Sequence, residues 1–236
     1  MNKQEQINFL QTLIFKEKDF LHAMDFIEES AFSGENDFLE FKAHIFFGLK
    51  EYDKAADLFY RVKKFYHASY ALLLNHDPQK AYEIIQLADV SGAALWQKTM
   101  CELFTSEIKT IPGYMQIKCF LEKDLSLFIK LGLIDYIQKL LDYNELFFDI
   151  NPESYKIFAK AFLYNNYPDL AFEFLQRALD FTQKDPEIYY LHGLYCIDRG
   201  EIQDAKRYLS TALALSNHYL PARELLEQIS KTILSD

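Results

Sequence analysis

The pattern Pro152-Glu153-x-Tyr155 returns 34 residues later as Pro186-Glu187-x-Tyr189. The same interval carries Ala159 to Gly193, Ala171 to Ala205, Leu175 to Leu209 and Ala178 to Ala212. A fixed period of this length, with small and large apolar residues in constant order, describes one supersecondary unit copied along a chain. The unit that fits is a pair of antiparallel helices. Ala159, Gly193, Ala171 and Ala205 let the two helices approach closely. Tyr155, Tyr189, Leu175 and Leu209 fill the space between one pair and the next. A lone pair cannot bury both of its faces, so neighbouring pairs must stack. Asn151-Pro152 and Asp185-Pro186 mark the starts, with a capping side chain before a proline in the first turn. Glu153 and Glu187 then suit the positive end of the helix dipole. Only seven glycines and six prolines occur in 236 residues, which favours long helices and short turns.

Weaker copies precede these two. Ile137 and Leu141 hold the places of Ala171 and Leu175, and Gly132 marks the turn of that pair. Further upstream Ala43, Tyr52-x-x-Ala55 and Phe59 repeat the order small, aromatic, alanine, large apolar. Residues 4–15 and 19–30 form a helix pair divided by Lys16-Glu17-Lys18, and 66–74 and 79–88 form a short pair. A helix containing Trp96 runs to about Phe104. Ile111-Pro112-Gly113 interrupts the pattern. After Tyr219-Leu220-Pro221, the stretch Ala222 to Ile233 is amphipathic, with Leu225, Leu226 and Ile229 on one face. Such a helix covers the last repeat. The chain is thus divided into N-terminal repeats (1–104), an irregular junction (105–117), C-terminal repeats (118–217) and a capping helix (218–236), within one continuous array.

This register resembles the tetratricopeptide-repeat superfamily. The resemblance implies an all-α fold, a right-handed α-α superhelix of about six to seven helix pairs plus the C-terminal capping helix. In that superfamily the first helix of each pair lines a concave groove that grips other polypeptides. Carried onto this sequence, the groove positions are Phe41, His44 and Phe47 upstream, Lys156, Lys160 and Tyr164 in the next copy, and Tyr190, Leu194 and Ile197 in the last. Glu40, Ile157 and Glu187 share those faces. Receptors of the superfamily that hold a terminal carboxylate use an asparagine-and-lysine clamp. Leu194 and Lys160 stand at the matching places, which disfavours that ligand. A largely apolar and aromatic face, with a few charges, suits an amphipathic helix or another repeat chain.

Composition narrows the partners further. The net charge is −10, with acid spread along the chain, so the basic stripe needed for nucleic acid is missing. No run approaches the roughly 18 apolar residues that span a bilayer, and the N-terminus lacks a signal-peptide pattern. Cys101, Cys119 and Cys196 are widely spaced and read as small buried residues in a reducing, intracellular setting, nuclear or cytoplasmic. Glu40/His44 and His192/Cys196 are the pairs at ligand spacing, and two ligands do not close a metal site. No phosphate loop or nucleophile motif is present. The expectation is a chain with no catalytic residues, no metal and no cofactor, whose partner is a protein.

A narrower resemblance follows from residues 4–88 and 186–230. Ala43 to Ala56, then Lys64 to Leu74, and later Leu191 to Cys196 through Ala212 to Ala222, are similar in order to the repeat subunits of the anaphase-promoting complex. That resemblance implies a non-enzymatic arm of a ubiquitin ligase active in the cell cycle, and a homodimer built through its N-terminal repeats. Ile7, Phe9, Leu10, Leu13, Ile14 and Phe15 cover much of the first helix with apolar surface, which marks them for self-association. The alternative is a monomeric peptide-binding module, such as a bacterial regulator, a secretion chaperone or a repeat module attached to a glycosyltransferase.

Overall fold

The computed structural model describes residues 1–106 and 108–235, with side chains for all of these except 232–235. Glu107 and Asp236, and the side chain of Ile233, therefore lie outside the described residues. Fifteen α-helices and no strand occur among the described residues. The fold is all-α, and its working element is the stacked helix pair. The chain forms two compact units, 1–112 and 113–236, divided within the segment that Ile111-Pro112-Gly113 interrupts.

The first unit holds α1 (Lys3–Gln11), α2 (Phe20–Glu29), α3 (Asn36–Gly48), α4 (Tyr52–Arg61), α5 (Phe65–Leu74), α6 (Pro78–Ile85) and α7 (Gly92–Thr105). Asn2 and Glu5 make a capping box that starts α1. The end of α1 widens into a π-helix, Thr12–Glu17, closed by Lys18 in the left-handed region. The hydrophobic pattern alone carries no sign of this extra residue in the turn. Leu10, Leu13 and Ile14 pack with Ala23, Ile27, Phe38, Phe41 and Ile45 into one core. Tyr52 opens α4, and Ala55 and Phe59 are buried on it, as the repeat pattern expects.

The second unit holds α8 (Tyr114–Leu131), α9 (Ile134–Asp142), α10 (Asn144–Ile150), α11 (Ser154–Leu163), α12 (Pro168–Phe181), α13 (Pro186–Asp198), α14 (Ile202–Leu215) and α15 (Leu220–Ser235). Ala159, Ala171, Leu175, Gly193, Ala205 and Leu209 are all buried, at the joints between paired helices. A β-carbon on Gly193 would stand 2.8 Å from the Leu209 side chain, so α13 meets α14 at a point where a hydrogen is the largest group that fits. Between α11 and α12 the aromatic residues form a stack: Phe158 lies 4.9 Å from Phe174 and Phe162 5.9 Å from it, both within 20° of parallel. Gly132 and Gly200 end α8 and α13 with positive φ, a conformation that costs a residue with a β-carbon more than glycine. Ala222 and Ile229 of α15 are buried against the last pair, with Leu225 and Leu226 partly so.

Three boundaries differ from the sequence reading. Helix α8 begins at Tyr114, so the irregular stretch ends sooner than residue 117. In the weak pair, Tyr136 and Leu140 are buried with Ile137, whereas Leu141 is only half-buried. The 34-residue register slips there because α9 has nine residues and the extra helix α10 follows it. At the next start, Pro152 stands in a turn before α11; Asn151 still accepts the Glu153 N–H, at 2.9 Å. Asp185-Pro186 caps α13 as expected. Cys101 and Cys196 are buried, and burial pushes the Cys101 thiol up to about 12. Cys119 is a correction, because it is exposed on α8.

Candidate functional site

In the second unit α8, α11 and α13, the leading helices of successive pairs, present one shared face. On α8, Tyr114, Lys118 and Glu122 recur every four residues and so lie in one row. On α11 the row runs Lys156, Lys160, Tyr164, and on α13 it includes Glu187 and Tyr190. Ion pairs tie the rows together. The Lys156 ammonium stands 2.6 Å from Asp185 and 3.0 Å from Glu187, and its side chain is only 14% exposed. Lys160 reaches Glu122 at 3.2 Å and Glu187 at 3.6 Å. Glu153 accepts the Tyr114 hydroxyl at 2.7 Å and lies 3.3 Å from Lys118. Lys118, Glu122, Glu153, Lys156, Lys160 and Glu187 line a shallow cleft of about 190 Å³.

Protonation follows from these contacts. Burial by itself would lower the Lys156 ammonium, but the bonds from Asp185 and Glu187 outweigh it and hold the group above the ordinary lysine value. The Tyr114 hydrogen bond, against the opposing effect of burial, holds the Glu153 carboxyl below its ordinary value, with Lys156 and Lys118 adding to the effect. Burial, then the neighbouring Tyr190 and Glu187, push the Tyr164 phenol up to about 12.

Beyond the ion pairs lies a tyrosine cluster. The Tyr190 and Tyr219 rings meet edge to face, with centroids 5.7 Å apart. Tyr164 neighbours Tyr190 and is 53% exposed. Leu194 and Ile197 are half-buried, and Ile197 packs on the core beneath α14 and α15. The face is more ionic than the sequence reading allowed. Lys118, Glu122, Tyr114 and Tyr219 were missed, because the weak pair that begins with α8 was placed only by its turn and second helix, and Tyr219 lay in a turn. The four-residue recurrence along α8 is the signal that finds three of them.

The upstream positions are distributed differently. Phe41 is buried and belongs mostly to the core of the first unit. His44 is half-buried between Phe15 at 5.0 Å and Phe59 at 4.9 Å, and Phe47 stacks on Tyr70 at 6.2 Å. Burial, and then the His67 ring 5.7 Å away, push the His44 imidazole below its ordinary value. Glu40 pairs with Lys64 at 3.0 Å. The set marked for self-association is divided. Leu10, Leu13 and Ile14 have almost no exposed surface, while Ile7 and Phe9 pack partly against the same core. Phe15, 52% exposed, is the member left at the surface. The apolar circumference of α1 is thus used by α2 and α3.

Of the two pairs at ligand spacing, His192/Cys196 is built into the packing of the second unit. His192 is fully buried, with Nδ1 3.0 Å from the Ile188 carbonyl and Nε2 3.1 Å from the Gln176 amide. Both ring nitrogens are engaged. No group of three metal-ligating side chains occurs among the described residues. No helix among them is long and apolar enough to cross a membrane.

No protein-family model and no curated protein matches the chain. Among solved structures, it is similar to YrrB, a tetratricopeptide-repeat protein described as having an unusual peptide-binding site. The two are 13% identical, the match covers 94% of this chain and 90% of the other, and the TM-score is 0.35.

Proposed function

We propose that the chain is a protein-binding scaffold that holds a segment of another polypeptide on the shared face of α8, α11 and α13. The observation that carries this reading is the tyrosine cluster beside the cleft. Aromatic side chains standing on rigid helices are costly surface to leave in water, and they supply contact area with little entropy to lose on binding. The ion pairs beneath hold those helices in register, so the face is preformed. Replacing Tyr190 and Leu194 together with alanine should weaken capture of the cellular partner by about tenfold or more, at unchanged helix content. The measurement is affinity capture from the source cell, followed by titration of the captured protein. Equal binding by the double variant would remove the reading.

A second arrangement, self-association as an arm of a complex such as the anaphase-promoting ligase, has narrower support. It rests on the order of residues in 4–88 and 186–230, and on Phe15 remaining exposed at the end of α1. A homodimer of that kind buries more than about 2,000 Å². Light scattering should then give twice the chain mass at micromolar concentration, and a monomer across the accessible range would exclude it.

A further inference from the structure

We propose that the corner formed by Tyr190 and Tyr219, with Tyr164 beside it, receives a cationic side chain, lysine or arginine, from the partner polypeptide. This rests on the protein-binding reading above and specifies what that face recognises. Ring faces attract cations through the negative charge above the ring plane, most strongly where a perpendicular pair leaves a corner and water is partly excluded. Tyr190 and Tyr219 make such a corner, at 70° and 5.7 Å. Four other tyrosines of this unit already carry a cation from within the chain. Arg177 covers Tyr155, Arg199 covers Tyr195, Arg207 covers Tyr208 and Lys118 covers Tyr114, each within 6 Å. Among the described residues, no lysine or arginine of the chain lies over Tyr164, Tyr190 or Tyr219.

The charges around the corner favour the same ligand. Asp185, Glu187 and Glu122 share only Lys156 and Lys160 between them, apart from the link from Lys156 to Glu153 at 4.0 Å, so one negative charge is left over. The phenols register that excess. After burial, the causes that raise Tyr164 and Tyr219 are their tyrosine neighbours with Glu187, Glu122 and Asp185. A carboxylate or phosphate would meet the same field with the wrong sign.

Two 14-residue peptides patterned as amphipathic helices serve as probes, with leucine on one face and lysine on the other in the first, and leucine and glutamate in the second. The lysine peptide should bind, with affinity falling as salt rises, and should shift the ring resonances of the three tyrosines. The glutamate peptide should not. Because a chain of net charge −10 attracts any basic peptide, the decisive comparison is between variants. Tyr164→Ala and Tyr219→Ala should each weaken the lysine peptide by about threefold to thirtyfold, whereas Tyr164→Phe and Tyr219→Phe should stay within about twofold of the parent, since the ring and not the hydroxyl is the contact. The proposal fails if the glutamate peptide binds as well as the lysine peptide, if the alanine variants bind normally, or if phenylalanine is as damaging as alanine. Should it fail while Tyr190→Ala with Leu194→Ala still abolishes capture of the cellular partner, the face binds protein through other chemistry. Loss of neither interaction would overturn both readings.

Discussion

A Gly193→Val chain should lose about 3 kcal/mol of stability in its second unit, seen as a lower urea midpoint with an unchanged slope. The β-carbon alone would stand 2.8 Å from both Cγ and Cδ2 of Leu209, and the Ala205 carbonyl oxygen lies 3.6 Å away on the same helix. Leu209 is fully buried, so it cannot turn out into solvent to make room. Either α13 and α14 move apart or Leu209 leaves its rotamer, and both cost energy throughout a close-packed interface. Alanine at the same place is a useful contrast. It regains up to about 1 kcal/mol of helix propensity relative to glycine, which offsets part of its clash. Valine gains little of that and adds two methyl groups. The contact can be isolated with Leu209→Ala. If Gly193 and Leu209 touch as described, the two substitutions together should cost less than their sum, and a double-mutant cycle with no coupling would contradict the packing.

Glu102→Ala should cost the first unit about 2–3 kcal/mol. Glu102 is 2% exposed on α7, yet both of its oxygens are in use. Oε2 accepts the backbone N–H groups of Lys109 and Thr110, at 2.8 and 2.6 Å, and Oε1 accepts the Thr110 hydroxyl at 3.0 Å. Thr99 adds a bond from its hydroxyl to the Thr110 carbonyl, at 2.8 Å. One side chain thus substitutes for the regular hydrogen bonding that the chain gives up after α7. Alanine leaves two backbone donors and a hydroxyl to find water at the edge of an apolar core. Amide hydrogen exchange at Lys109 and Thr110 reads the effect directly, because their protection should fall much more than that of α3 or α4. Equal protection in the variant would mean that the segment is held by something else. Glu102→Gln keeps the volume and one acceptor oxygen, so it should fall between the two.

The regular part of this molecule was legible because its cause is local and repeated. Ala159 and Gly193, or Ala171 and Ala205, are small for the same packing reason, and a spacing is visible without knowing what lies across the joint. The same logic failed where the chain departs from its period. Nothing in Thr12 to Glu17 signals a π-helix, since that turn is set by the fit of Leu13 and Ile14 into a core supplied by α2 and α3. The slip from Leu141 to Leu140 has the same origin, a short α9 followed by an unforeseen α10. Half of the candidate site was found by carrying the first-helix positions of the repeat onto the chain. The other half was hidden because ion pairs join residues distant in sequence: Lys156 meets Asp185 and Glu187, and Lys160 meets Glu122. Composition showed the acid excess but not which carboxylates a lysine already serves. The apolar run in α1 was visible too, but a sequence does not say whether such a run faces its own neighbours or a second molecule.

Lys156 also bears on how ionic strength will act on this chain. With most of its side chain out of water, its attraction to Asp185 and Glu187 is poorly reached by dissolved ions, whereas a charge held at an open surface is masked within about one Debye length, some 8 Å in physiological saline. Brine should therefore leave the seam between α11 and α13 closed while it strips away an incoming lysine or arginine. Attenuation of capture by sodium chloride would then report on the guest and not on its host.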